Sequence, residues 1–74
     1  MKHDRVVVDP AIMVGKPVIR GTRIPVELIL RRLGAGASPE EVMEDYPQIT
    51  PADIRAAQAF AADYLAGEEI IAAE

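Results

Sequence analysis

The sequence has no cysteine. Without thiols it can form neither a disulfide nor a thiolate metal site. Its single histidine, His3, cannot build an imidazole cluster alone. No apolar run approaches the ~18 residues of a membrane-spanning helix. The start, Met1-Lys2-His3-Asp4-Arg5, leads into only three valines, too few for the apolar region of a signal peptide. A cytoplasmic protein is therefore expected. Nucleotide and catalytic signatures are missing too. Gly15-Lys16 is followed by Pro17 rather than Ser or Thr, and Pro10 stands where a P-loop needs glycine. Gly34-Ala35-Gly36 lacks the third glycine and the strand context of a dinucleotide fingerprint. Nothing pairs Ser38 with His3. Glu40 with Glu44, and Glu41 with Asp45, place carboxylates one helical turn apart, which is the pattern of a solvated acidic face. No catalytic residue, metal or cofactor is expected.

What is present is a chain of 74 residues, enough for one domain with a thin core. At roughly 0.05–0.15 kcal/mol per residue its stability would be about 4–11 kcal/mol. Domains of this size often draw on a metal, a disulfide or a partner. With the first two excluded, self-association or a partner protein remains. The net charge is −4, which argues against indiscriminate nucleic-acid binding. The distribution is uneven. Residues 1–36 carry seven cations against three anions, and residues 37–74 carry one cation, Arg55, against nine anions. Two faces with different partners would produce such a split.

The densest signal lies in Gly15-Lys16-Pro17-Val18-Ile19-Arg20-Gly21-Thr22-Arg23-Ile24-Pro25-Val26, where two glycines, two interior prolines and three cations share twelve positions. Before it, Arg5–Val8 and then Val18–Arg20 have the β-branched character of short strands, the first stopped by Asp9-Pro10 and the second by Gly21. Strands this short are marginal alone. Pairing with the same strands of a second subunit would close their edges, so a homodimer through this N-terminal β element is expected. After the stretch, three helices follow. The first begins near Pro25, aligns Val26, Ile29, Leu30 and Leu33 on one face, and ends at Gly34 and Gly36. The second starts with Ser38 as cap, Pro39 and Glu41 in a capping box, and is stopped by Pro47. The third repeats the device with Thr50, Pro51 and Asp53. Ile54, Ala57, Ala61, Tyr64 and Leu65 follow its period, with Phe60 near the edge, and it ends around Ala66-Gly67. Ile49 in the connection is placed to staple the last two helices. The expected fold is mainly α: one three-helix, helix-turn-helix-like (homeodomain-like) domain with a short N-terminal β element. Residues 5–24 form the β element and hinge, 25–67 the three-helix unit and 68–74 a tail.

Two capped helices joined by a short turn outline a DNA-binding unit. Base contacts would come from Gln48, Thr50, Arg55 and Gln58, since Gln pairs with adenine and Arg with guanine. Phosphate contacts would come from Lys16, Arg20, Arg23, Arg31 and Arg32. The competing reading makes these arginines internal bridges to the acidic half and the helices a scaffold for protein–protein interaction without DNA binding.

Asp9-Pro10, the string from Gly15 to Val26, Gly36-Ala37-Ser38-Pro39-Glu40-Glu41-Val42, Asp45-Tyr46-Pro47 and Ile49-Thr50 together resemble the bacterial and archaeal domain-of-unknown-function family numbered 433. The resemblance implies a helix-turn-helix-like fold with a small β element. It also implies an antitoxin of a type II toxin–antitoxin pair of the VapB kind. Such a protein binds and inhibits a PIN-like ribonuclease toxin and represses its own operon by binding operator DNA. On that reading Arg20 and Arg23 would reach the nuclease carboxylates, and the apolar tail residues Ile70 and Ile71 would add toxin contacts. The resemblance brings no catalytic residues.

Overall fold

Five short elements account for the fold, and local chemistry sets the start of each helix. The computed structural model describes residues 3–67. The elements are β1 (Val6–Val7), β2 (Val18–Ile19), α1 (Val26–Gly34), α2 (Pro39–Asp45) and α3 (Pro51–Leu65). The molecule is therefore mainly helical, with three helices and a two-stranded antiparallel sheet. The expected tail 68–74, with Ile70 and Ile71, lies outside the described residues.

The strands pair Val6 with Ile19 and Val7 with Val18. They are shorter than the runs Arg5–Val8 and Val18–Arg20 predict. Val8, next to Asp9-Pro10, is 57% exposed. β2 has neighbours on both sides, because Val18 also bridges Pro25 and Val26 donates its N–H to the Pro17 carbonyl at 2.9 Å. A second copy seeking a strand edge would find β2 covered, and only β1 keeps an outer edge. Between the strands the side chain of Asp9 accepts from the Ala11 N–H at 2.9 Å, an Asx-turn. A single 3₁₀ turn over Met13–Gly15 follows. The chain turns before Lys16-Pro17, with Met13 and Val14 already at positive φ.

α1 begins one residue after Pro25, which serves as its N-cap in extended conformation. Its end is a Schellman motif. The Gly36 N–H donates to Leu33 O and the Ala37 N–H to Arg32 O, both at 3.0 Å. Gly36 sits at φ +104, where a side chain would be strained. α2 and α3 both start in complete capping boxes. The Glu41 N–H donates to Ser38 Oγ and the Ser38 N–H to Glu41 Oε1, at 3.1 and 2.7 Å. The Asp53 N–H donates to Thr50 Oγ1 and the Thr50 N–H to Asp53 Oδ2, at 3.2 and 3.0 Å. Each box satisfies two backbone donors that the helix leaves free.

The core is aliphatic. Ile19, Ile29, Val42, Ile49, Ile54 and Ala57 are buried, and Val6, Ile24 and Val26 complete the cluster. Ile49 is 3% exposed, so it staples α2 to α3 as its position predicts. The period of α3 holds through Ala57 and then outruns its neighbours. Tyr64 is 65% exposed and Leu65 82%, although both lie on the core-facing stripe. At about 1.5 Å per residue, the 15 residues of α3 rise about 22 Å and the 9 of α1 only about 13 Å. The last turns of α3 face the first turns of α1 across an open groove, which leaves Tyr64 and Leu65 exposed. Among the described residues no helix is long and apolar enough to cross a membrane.

Candidate functional site

The start of α3 is where the N-terminal β element meets the helical unit. Arg5, the residue before β1, donates from Nη1 to Asp53 Oδ1 at 3.1 Å. Asp53 is only 6% exposed, and its other oxygen already holds the Thr50 N–H. One carboxylate therefore caps α3 and anchors an arginine at its positive end, where the helix dipole also favours the negative charge. The Arg20 N–H donates to Arg5 O at 2.8 Å, and Arg20 Nε donates to Asp4 O. Asp4, Arg5, Ala52, Arg55, Ala56 and Ala59 line one shallow hollow together with His3. The structure thus brings Arg5 and Arg55 together beside the first turns of α3, with Arg20 tied to the backbone of Asp4 and Arg5. Gln58 is exposed one turn further along, and Gln48 is exposed in the connection before the helix. Arg5 is absent from the residues that sequence reasoning singles out. Its partner lies 48 residues away, and no local pattern joins them.

Arg20 and Arg23 flank a braced turn. Gly21 adopts φ +81, a left-handed angle that glycine takes without a Cβ penalty. Thr22 closes the turn: its N–H and its hydroxyl both donate to Ile19 O, at 3.0 and 2.8 Å, and its oxygen accepts from the Ile24 N–H at 3.0 Å. Both arginines are exposed. Among the described residues neither they nor Arg55 has a carboxylate partner.

The other cations are engaged. Lys16 Nζ donates to Glu27 Oε2 at 2.7 Å, and Arg31 lies 3.9 Å from the same carboxylate. The hydrogen bond from Lys16, then its charge, holds the Glu27 carboxyl below its ordinary pKa. Arg32 reaches Asp45 at 2.7 Å, joining α1 to α2, and that hydrogen bond raises the guanidinium pKa further. Two cations of the basic front, Arg5 and Arg32, are thus paired with acids of the back, and folding interleaves the two halves. His3 Nε2 sits 2.8 Å from Asp63 Oδ2, with its ring edge-on to Phe60 at 5.3 Å. No three His, Asp or Glu side chains gather as a metal site among the described residues.

A second surface lies between α1 and the overrunning end of α3. Pro17, Leu30, Phe60, Ala61, Tyr64 and Leu65 line an apolar groove of about 230 Å³, with Lys16 and Glu27 at its lip. The groove continues past Phe60 and Tyr64 to Gly15 and Val8.

The chain matches the family described as "Protein of unknown function (DUF433)" over residues 6–61, and it belongs to that family. It is similar to a crystal structure of a DUF433 member from Anabaena variabilis, with a TM-score of 0.76 and 30% identity, covering 80% of this chain and 58% of the other. It is 40% identical over 52 residues to the protein y4eO of Sinorhizobium fredii, covering 70% of this chain and 24% of that one. A protein of Archaeoglobus fulgidus is 64% identical over 28 residues, which is 38% of this chain and 78% of its own. The chain therefore spans about a quarter of the rhizobial relative's length.

Proposed function

We propose that the protein is a non-catalytic antitoxin of a type II pair that inhibits a PIN-like ribonuclease and binds its own operator DNA. The observation that carries this reading is the Arg20–Arg23 turn. In an acidic chain whose other described front-half cations, Arg5, Lys16, Arg31 and Arg32, sit against carboxylates, the two exposed arginines of the most distinctive motif have none among the described residues. A guanidinium so presented suits a cluster of catalytic carboxylates, which it meets with a bidentate fork in place of their metal. In this reading the exposed side of α3, with Arg55 and Gln58, faces the DNA major groove. Arg20 meets a phosphate beside it.

The test is co-purification of the tagged protein with its partner from the host, followed by nuclease assays. Arg20→Ala with Arg23→Ala should abolish inhibition while the helical circular dichroism stays unchanged, because both side chains are exposed. Undiminished inhibition by the double variant overturns the arginine role. Failure of any nuclease to co-purify counts against the antitoxin reading itself.

The second reading, a protein-interaction module without DNA binding, draws on the neutralisation of Lys16, Arg31 and Arg32 by Glu27 and Asp45. The absence of binding to the upstream DNA at low salt would favour it.

A further inference from the structure

Of the large hydrophobic residues exposed among the described ones, three line one groove and its continuation, and the fourth adjoins it in sequence. Val8, Val14, Tyr64 and Leu65 are 57%, 95%, 65% and 82% exposed. Tyr64 and Leu65 line the groove between α1 and α3, Val8 lines its continuation, and Val14 precedes Gly15 at the same edge. Val14 is the most exposed of the four, and it is also held at φ 57 and ψ 35. A β-branched residue in the left-handed region is an outlier, and such strain persists where its position serves the structure. Within one copy the left-handed angles of Met13, Val14 and Gly15 turn the chain, and that turn leaves Val14 almost wholly exposed.

We propose that this face is the interface between two copies of the chain, with Val14 of each copy seated in the other's hollow between Pro17, Phe60 and Tyr64. The patch is self-complementary, as a two-fold interface must be. It carries a knob, Val14, beside a hollow, so one rotation satisfies both twice. Its charge is balanced as well. Lys16 and Glu27 at the lip form a 2.7 Å pair, leaving no excess charge to select an acidic or a basic partner. A standard interface takes about 800 Å² from each partner, roughly a sixth of this chain's 4810 Å². The overrun of α3 supplies the centre of that area, with an aromatic anchor of the kind that dominates interfaces. This arrangement differs from strand-edge pairing and needs nothing from the Arg20–Arg23 turn.

The test is sedimentation equilibrium of the full chain over a wide concentration range. The wild type should reach twice its 8.0 kDa mass. Val14→Asn keeps the left-handed backbone, which asparagine tolerates, and removes the apolar knob. Leu65→Glu places a charge in the centre. Each should weaken association by about tenfold or more, the scale of one interfacial anchor. Both positions are exposed, so each variant folds, and circular dichroism verifies it. Arg20→Ala with Arg23→Ala should dimerise as the wild type does, which separates this interface from the nuclease contact. In this cysteine-free chain, Val14→Cys protein mixed with Tyr64→Cys protein should form the mixed disulfide ahead of either like pair. A wild type that stays monomeric, or a dimer indifferent to Val14→Asn and Leu65→Glu, overturns the proposal.

Discussion

Arg5 and Asp53, 48 residues apart, meet at 3.1 Å and fasten the β element to the first turn of α3. The two partners are unequal. The Asp53 side chain is 9% exposed and also caps the helix, whereas that of Arg5 is 54% exposed. Asp53→Ala removes the side-chain half of a capping box together with the anchor for Arg5. It should cost about 1–2 kcal/mol. Arg5→Ala breaks a half-exposed pair and should cost less than about 1 kcal/mol. For a domain of this size about 1 kcal/mol lowers Tm by roughly 4–8 °C, so thermal unfolding separates the two. Equal losses would mean that the ion pair, and not the cap, carries the stability.

The caps were legible in the sequence because capping is local. Ser38-Pro39 with Glu41, and Thr50-Pro51 with Asp53, each contain the whole device within four residues. The Arg5–Asp53 contact was not legible, because nothing near Arg5 specifies a partner in the third helix. The left-handed Met13 and Val14 were missed for a related reason. Val14 is β-branched, a type that argues for strand, and only the surrounding chain places Met13 and Val14 at φ 50 and φ 57. Of the candidate cations, the sequence could name Lys16, Arg31 and Arg32 but could not show that Glu27 and Asp45 engage them.

Those pairings set an expectation for DNA binding. Each phosphate neutralised contributes about 0.9 to the slope of log affinity against log salt. Arg20→Ala and Arg55→Ala should each reduce the slope by about that amount. Arg32→Ala should leave it unchanged, since its charge is already spent on Asp45 at 2.7 Å. Gln58→Ala should instead relax sequence preference by about 1–3 kcal/mol at one base pair. Fluorescence anisotropy on the upstream DNA at several salt concentrations measures all four. A slope that responds equally to Arg20 and Arg32 would remove the distinction drawn between free and paired cations.

Glu27 gives the acid limb a defined contribution. Lys16 holds its carboxyl below the ordinary 4.5, so the folded state binds this proton less readily than the unfolded chain. A depressed carboxylate contributes stability that is fully present above the unfolded value and lost as pH falls through the folded one. The stability difference between wild type and Glu27→Gln should therefore be constant near neutral pH and shrink below about pH 4.5. Because the pair is exposed, about 1 M salt should shrink it as well. Urea unfolding from pH 7 to pH 3 would check this, and a difference that grows on acidification would contradict the assignment.

Ile29 and Leu65 obey the same helical period yet occupy opposite situations. Ile29 is fully buried on α1, among the aliphatic side chains of the core, so Ile29→Ala leaves a cavity and should cost about 2–5 kcal/mol. Leu65 lies on the stripe of α3 that outruns α1 and is 82% exposed, so Leu65→Ala should change the stability of the isolated chain by no more than about 0.5 kcal/mol. Periodicity gave both as core positions because it carries no record of how long the neighbouring helices are. Denaturant unfolding at low concentration, where association is absent, measures the contrast directly. A large loss at Leu65 under those conditions would mean that the end of α3 is already covered by its own chain.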